Sequence, residues 1–94
     1  MALFFVQHKH DAATCPAGDK DAGAQLLQLL AGAPQAGITI QAEAVVDGGH
    51  ELNMIVTADA LDTVETFMQP FAQMGSLSVR PASHCEIVVE RGSC

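Results

Sequence analysis

The chain has 94 residues, of which 49% are hydrophobic and 16% charged, so it is long enough for one domain and too apolar to be disordered. Eleven acidic residues against four lysines and arginines give a net charge of −7, which disfavours nucleic acid and anionic membrane surfaces as partners. The apolar runs are too short to cross a membrane, and the first residues lack a signal-peptide pattern. We therefore expect a cytoplasmic protein whose three cysteines are free thiols or metal ligands.

The first third of the chain predicts a strand, a loop and a helix. Leu3–His8 is a short, aromatic-rich apolar run that is typical of a buried strand. The loop Lys9–Gly18 follows it, and Asp19 is a suitable N-cap for a helix that runs to Ala31. The leucines of this segment recur at helical spacing, which indicates one buried helix face.

The middle of the chain predicts a β-hairpin. Ile38–Val46 and Leu52–Thr57 are both rich in β-branched and apolar residues. The segment Asp47–His50 between them contains two glycines and is a turn signal. His50 is expected to be exposed, at the end of the sheet opposite to His8, on the assumption that the first and third strands run parallel.

The last third predicts a second helix and two further strands. Asp59 is a candidate N-cap, and Pro70 should kink or end the helix because proline lacks an N–H. Leu77–Arg80 is predicted to be a strand that Pro81 breaks. His84–Glu90 is predicted to be a terminal strand, with His84 and Cys85 on opposite faces.

This order of elements predicts an α+β fold of the ferredoxin-like, split βαβ type, formed by residues 1–94 as a single domain. Both helices should lie on one face of an antiparallel sheet. Leu3–Val6 and Met54–Val56 are apolar at consecutive positions, so both faces of the sheet should need cover. The simplest cover for the second face is another copy of the chain, which predicts a homodimer or higher oligomer.

The chain also resembles a known superfamily along nearly its whole length. The similarity lies in the strand Leu3–Val6 that begins almost at Met1, the helix that ends near Gln69-Pro70-Phe71, and the glycine-then-strand segment Met74–Pro81. These features resemble the dimeric α+β barrel superfamily, which includes muconolactone isomerases and small cofactor-free monooxygenases. The resemblance implies a dimer whose two sheets pack face to face. It implies no particular reaction, because members of that superfamily differ in function.

The richest cluster of chemically active side chains follows the first strand. His8 and His10 are two positions apart and would point to the same face of a strand, and Cys15 follows after four loop residues. Two imidazoles and a thiolate suit a transition metal, most often zinc, with copper, nickel or iron as further options. We therefore predict a metal site formed by His8, His10 and Cys15, in a metal-binding protein or metal-dependent enzyme. Asp11 is a further ligand or a partner that orients a histidine.

The same residues are compatible with three other interpretations. The His-x-His stretch is also compatible with a solvated loop that has no chemical role. His8 alone could be the catalytic base of a metal-free, isomerase-like or monooxygenase-like enzyme that acts on a small organic acid or lactone. The chain could also be a non-catalytic dimer that binds or senses a small-molecule ligand.

Overall fold

The computed structural model describes all 94 residues, Met1 to Cys94. Four strands and four α-helices follow one another along the chain in the order β1 (Ala2–Lys9), α1 (Lys20–Ala31), β2 (Thr39–Val46), β3 (Glu51–Ala58), α2 (Leu61–Phe67), α3 (Gln69–Ala72), β4 (Ser76–Ala82) and α4 (Cys85–Arg91). Single 3-10 turns interrupt the connections at Ala12–Thr14, Pro16–Gly18 and Pro34–Ala36.

The four strands form one antiparallel sheet in the order β2-β3-β1-β4. Strand β1 lies inside the sheet, where it pairs with β3 on one side and with β4 on the other. Because β3 is antiparallel to both of its neighbours, β1 and β2 run parallel with β3 inserted between them. This is the split βαβ arrangement, so the predicted α+β, ferredoxin-like fold is confirmed.

The core lies between one face of the sheet and the helices α1, α2 and α3. Along β1 the burial alternates, so Phe4, Val6 and His8 are buried on the inner face. From the helical side, Val64, Met68 and Phe71 of the α2–α3 segment complete the core. Three leucines of α1 pack against it, namely Leu26, Leu29 and Leu30, whereas Leu27 is exposed. Burial of these apolar side chains is the main contribution to stability at about 25 cal/mol per Å² of apolar surface.

The helix boundaries follow mostly from local chemistry. The carboxylate of Asp19 accepts hydrogen bonds from the backbone N–H groups of Asp21 and Ala22, which confirms it as the N-cap of α1. The prediction that Asp59 caps the second helix is wrong, because Ala60 occupies the N-cap and no side chain caps this end. The prediction that Pro70 kinks or ends the second helix is confirmed. Helix α2 stops at Phe67, and Pro70 lies in the first turn of the next helix, α3.

Two predictions about the C-terminal segment are wrong. Strand β4 is not broken at Pro81 but continues to Ala82, because β4 is an edge strand, where a missing N–H is tolerated. The predicted terminal strand His84–Glu90 is instead the helix α4. A short apolar run does not by itself distinguish strand from helix. Here Gly92, with a φ of 74°, supplies a left-handed helix end.

None of the helices has the length and apolar character that crossing a membrane requires. The longest of them, α1, has 12 residues.

Candidate metal centre

The antiparallel pairing of β1 with β3 places two histidines side by side. Lys9 at the end of β1 lies opposite Glu51 at the start of β3. His10 and His50 extend this pairing by one step, since the N–H of His10 donates a 3.1 Å hydrogen bond to the carbonyl oxygen of His50. The two imidazole rings are 5.4 Å apart between centroids and inclined at 70°. Local strand geometry therefore fixes both histidines at one corner of the sheet.

The loop after β1 brings a thiol to the same corner. It bends back through two consecutive 3-10 turns, and Cys15 lies between them. The N–H of Cys15 donates to the carbonyl oxygen of Ala12, and the carbonyl oxygen of Cys15 accepts from Gly18, so the backbone is held on both sides of the thiol. Pro16 is buried immediately after it, which anchors the loop against the domain. Cys15 is half-buried and is not in a disulfide.

His10, Cys15 and His50 form a cluster that could hold a metal ion. One potential ligand atom of each side chain lies within 4.8 Å of those of the other two, and all three residues are half-buried. Both ring nitrogens of His10 are inaccessible to solvent and have no hydrogen-bond partner in the chain. Buried imidazole nitrogens normally have a partner, and a bound metal is one way to supply it. We call these three residues the His/Cys/His cluster.

His8 lies beside the His/Cys/His cluster and is not part of it. Its ring stacks on that of His10 at 5.3 Å between centroids and meets the edge of the Phe71 ring at 5.4 Å. Only 2% of its surface is exposed, and neither ring nitrogen has a hydrogen-bond partner. Of the predicted ligands His8, His10 and Cys15, the structure therefore brings the last two together and places His8 deeper, in the core.

Burial is the main cause of a lowered pKa at His8, and the nearby imidazole of His10 adds to the effect. The backbone of Ser76 is close enough to oppose this slightly, although no hydrogen bond of acceptable geometry forms. Desolvation disfavours the charged imidazolium, so His8 favours its uncharged form at neutral pH. An uncharged imidazole can accept a proton or bind a metal, whereas an imidazolium can do neither.

The position of His50 corrects two expectations. It is half-buried rather than exposed, and it lies at the same end of the sheet as His10. The error came from the assumed parallel relation of the first and third strands, which are antiparallel neighbours. In the split βαβ topology these two strands are antiparallel, which places the β2–β3 turn next to the end of β1. His50 also has a φ of 52°, a left-handed conformation that is uncommon for residues other than glycine.

The carboxylate of Glu51, the residue after His50, connects β1 and β3 on the outer face of the sheet at this corner. Glu51 accepts hydrogen bonds from the side-chain amides of Gln7 and Asn53 at 2.9 and 3.0 Å and pairs with the ammonium group of Lys9 at 3.6 Å. The hydrogen bonds from Asn53 and Gln7 are the main causes of a lowered pKa at Glu51. These contacts connect the start of β3 to the end of β1, next to the two cluster histidines.

A cavity of about 250 Å³ opens beside the cluster. The three cluster residues and His8 line it, together with Asp47 of the β2–β3 turn. The rest of the lining is mainly apolar and includes Leu26, Val45, Leu52 and Phe71. The site thus combines potential metal ligands with room for a small molecule.

The other candidate residues lie outside the cluster. Asp11 is exposed and is not in the group of potential ligands. His84 is the exposed N-cap residue of α4, and Cys85 is an exposed free thiol in its first turn. Neither of the two contributes to the cavity.

The fold and the site together define a ferredoxin-like α+β domain with a His/Cys/His cluster that could hold a metal ion. Comparison of the sequence with protein-family models and with curated proteins gives no match.

Proposed function

We propose that this protein binds a divalent transition metal through His10, Cys15 and His50. The observation that carries the proposal is the convergence of three potential ligand atoms to within 4.8 Å, although His50 is distant in sequence from His10 and Cys15. The ring nitrogens of His10, which are buried and have no hydrogen-bond partner, support the proposal. Zinc is the first candidate, because two imidazoles and one thiolate form one of its known ligand sets, and copper, nickel and iron also accept these donors.

The number of ligands favours a reactive rather than a purely structural centre. Structural zinc sites are usually closed by four protein ligands, whereas catalytic ones have three and keep a position open for water or substrate. The adjoining cavity gives a small molecule access to such a position. We therefore place metal-dependent chemistry on a small substrate ahead of a closed structural site.

Zinc should stabilise the fold. The three ligands converge only in the folded chain, so binding is linked to folding. At free zinc a thousandfold above Kd, we expect the free energy of unfolding of untagged protein to rise by about 4 kcal/mol. Urea unfolding of metal-free protein with and without zinc measures this. Magnesium serves as the control because it prefers oxygen ligands. Equal effects of the two ions, or no effect of zinc, would contradict the proposal.

A second candidate function needs no metal, and the burial of His8 favours it. An uncharged imidazole at the wall of an apolar cavity is suited to remove a proton from a small acid or lactone. In D₂O, such an enzyme should exchange the hydrogen next to the carbonyl of a small lactone even with a strong chelator present, and a His8→Phe variant should not. Exchange that the chelator abolishes would exclude this candidate.

We also propose that the protein is a homodimer that buries the outer face of its sheet. Phe5 and Ile55 are paired neighbours on this face, and Leu3 lies two positions before Phe5. Leu3 and Phe5 are half-buried, and Ile55 is 40% exposed. None of the core residues belongs to this face, whose apolar side chains a second copy would cover.

An Ile55→Lys variant tests the dimer. Burial of an unpaired lysine in the interface would be unfavourable, so we expect dissociation to shift to at least about tenfold higher protein concentration. Gln25→Lys, at an exposed position of α1, provides a matched control with the same added charge. Sedimentation velocity over a concentration series measures the shift. A wild-type chain that sediments as a 9.8 kDa monomer at high concentration would refute the dimer.

A cytoplasmic location agrees with the proposed centre. Cys15, Cys85 and Cys94 are all free thiols, and reduced thiols persist in a reducing compartment. A cysteine must be a thiolate rather than half of a disulfide to bind the metal.

A further inference from the structure

We infer that the cavity beside the proposed centre binds a small monocarboxylate with an apolar body, whose carboxylate lies between the metal and His8. This inference rests on the proposed function, because the metal is one of the two groups that recognise the carboxylate. The size and lining of the cavity support the apolar body of the ligand. The unpartnered nitrogens of His8 and the charge of the centre support its single carboxylate.

The cavity determines the size and polarity of the ligand. Its volume is about 250 Å³. Since one water molecule takes about 30 Å³ of the liquid, the cavity holds a ligand of roughly eight to ten non-hydrogen atoms. Leu26, Val45, Leu52 and Phe71 supply most of the apolar surface of its lining. A compact hydrocarbon group, such as a phenyl ring, would be removed from water there.

His8 supplies a hydrogen bond that the protein itself does not use. It is buried, borders the cavity and has no partner at either ring nitrogen. An imidazole carries at least one N–H in either protonation state, so it can donate to a carboxylate oxygen. Its ring stacks on that of His10, a proposed ligand, at 5.3 Å between centroids. A carboxylate bound at the metal is therefore adjacent to His8 and has a second oxygen available for it.

The charge of the centre favours one negative charge on the ligand. A divalent metal with one thiolate and two uncharged imidazoles has a net charge of +1, which a monoanion neutralises. Neutralisation of the centre is favourable because the cavity is largely apolar, and an uncompensated charge in apolar surroundings is costly. The remaining ionisable group of the lining is the carboxylate of Asp47, which is exposed and would repel a second negative charge. The centre therefore selects monocarboxylates over dicarboxylates.

Titration of the cobalt(II)-substituted protein with benzoate tests the inference, because the absorption bands of cobalt report a change in its fourth ligand. We expect benzoate to bind at least about tenfold more tightly than acetate, which lacks the apolar body, or benzyl alcohol, which lacks the charge. Metal-free protein should bind benzoate at least about tenfold more weakly by calorimetry.

Two variants separate the contribution of the cavity wall to benzoate binding from that of His8. Val45→Asp places a negative charge on the cavity wall and should weaken benzoate binding about tenfold, whereas Val89→Asp, at an exposed position of α4, should not. His8→Phe should weaken benzoate binding by a similar factor and leave the affinity for cobalt unchanged.

The possible outcomes separate this inference from the proposed function. Cobalt binding without any response to benzoate would overturn the ligand class and leave the metal centre intact. Equal affinities for benzoate and benzyl alcohol, or for the metal-loaded and metal-free protein, would also overturn it. Failure of cobalt and zinc to bind would overturn both.

Discussion

Replacement of His50 with alanine should weaken zinc binding by at least about a hundredfold. Loss of a group that merely supports a ligand already costs 10- to 100-fold, and His50 is proposed to be a ligand itself. The fold should tolerate the change, because His50 is only half-buried and lies in the β2–β3 turn. Competition of the protein with a chromophoric chelator for zinc measures the affinity.

Two matched histidine variants make this test specific. His84→Ala removes an exposed imidazole outside the cluster and should leave zinc affinity unchanged. His8→Phe should also retain zinc, since His8 is not one of the three converging residues. If His8→Phe loses zinc while His50→Ala retains it, then the ligands are those that the sequence predicts, His8, His10 and Cys15, and the cluster proposed here is wrong.

Replacement of Gly75 with alanine should destabilise the domain and disturb the metal centre together. A Cβ at Gly75 would overlap the carbonyl oxygen of Lys9 and would also approach the Cα of His10 at 3.1 Å. Backbone atoms cannot move aside as a flexible side chain can, so the end of β1 would have to shift. We expect a loss of about 3 kcal/mol in the free energy of unfolding and weaker zinc binding.

Gly18→Ala is the control for this variant. Gly18 ends a 3-10 turn in the loop after Cys15, and a Cβ there would meet no atom within 4 Å. Its effect on stability should therefore be small, and a slight gain is expected from the reduced entropy of the unfolded chain. Urea unfolding of both variants, monitored by circular dichroism, gives the comparison. A Gly75→Ala protein as stable as Gly18→Ala would contradict the close packing of the two backbones.

Most of the fold could be predicted from the sequence because its signals are local. The cap at Asp19, the turn at Asp47–His50 and the break at Pro70 each act over a few residues. The errors concern segments whose secondary structure depends on residues that are close in space but distant in sequence. Pro81 is compatible with a strand only because β4 lies at the sheet edge, and Cys85–Arg91 is apolar enough for either a strand or a helix.

The site could be predicted only in part, for the same physical reason. His10 and Cys15 are close in sequence, so their clustering was visible as a motif. His50 is forty residues away from His10, and only the strand pairing brings the two together. The burial of His8 likewise depends on its contact with Phe71, which belongs to another element.

X-ray absorption spectroscopy at the zinc edge tests the central claim most directly. The measurement requires untagged protein that was purified without nickel resin and loaded with one equivalent of zinc. We expect one sulfur scatterer at about 2.3 Å and two imidazole nitrogens at about 2.0 Å, with one lighter ligand in the open position. A Cys15→Ser variant should lose the sulfur contribution. A spectrum of the wild-type protein with only oxygen and nitrogen scatterers would contradict a centre formed by His10, Cys15 and His50.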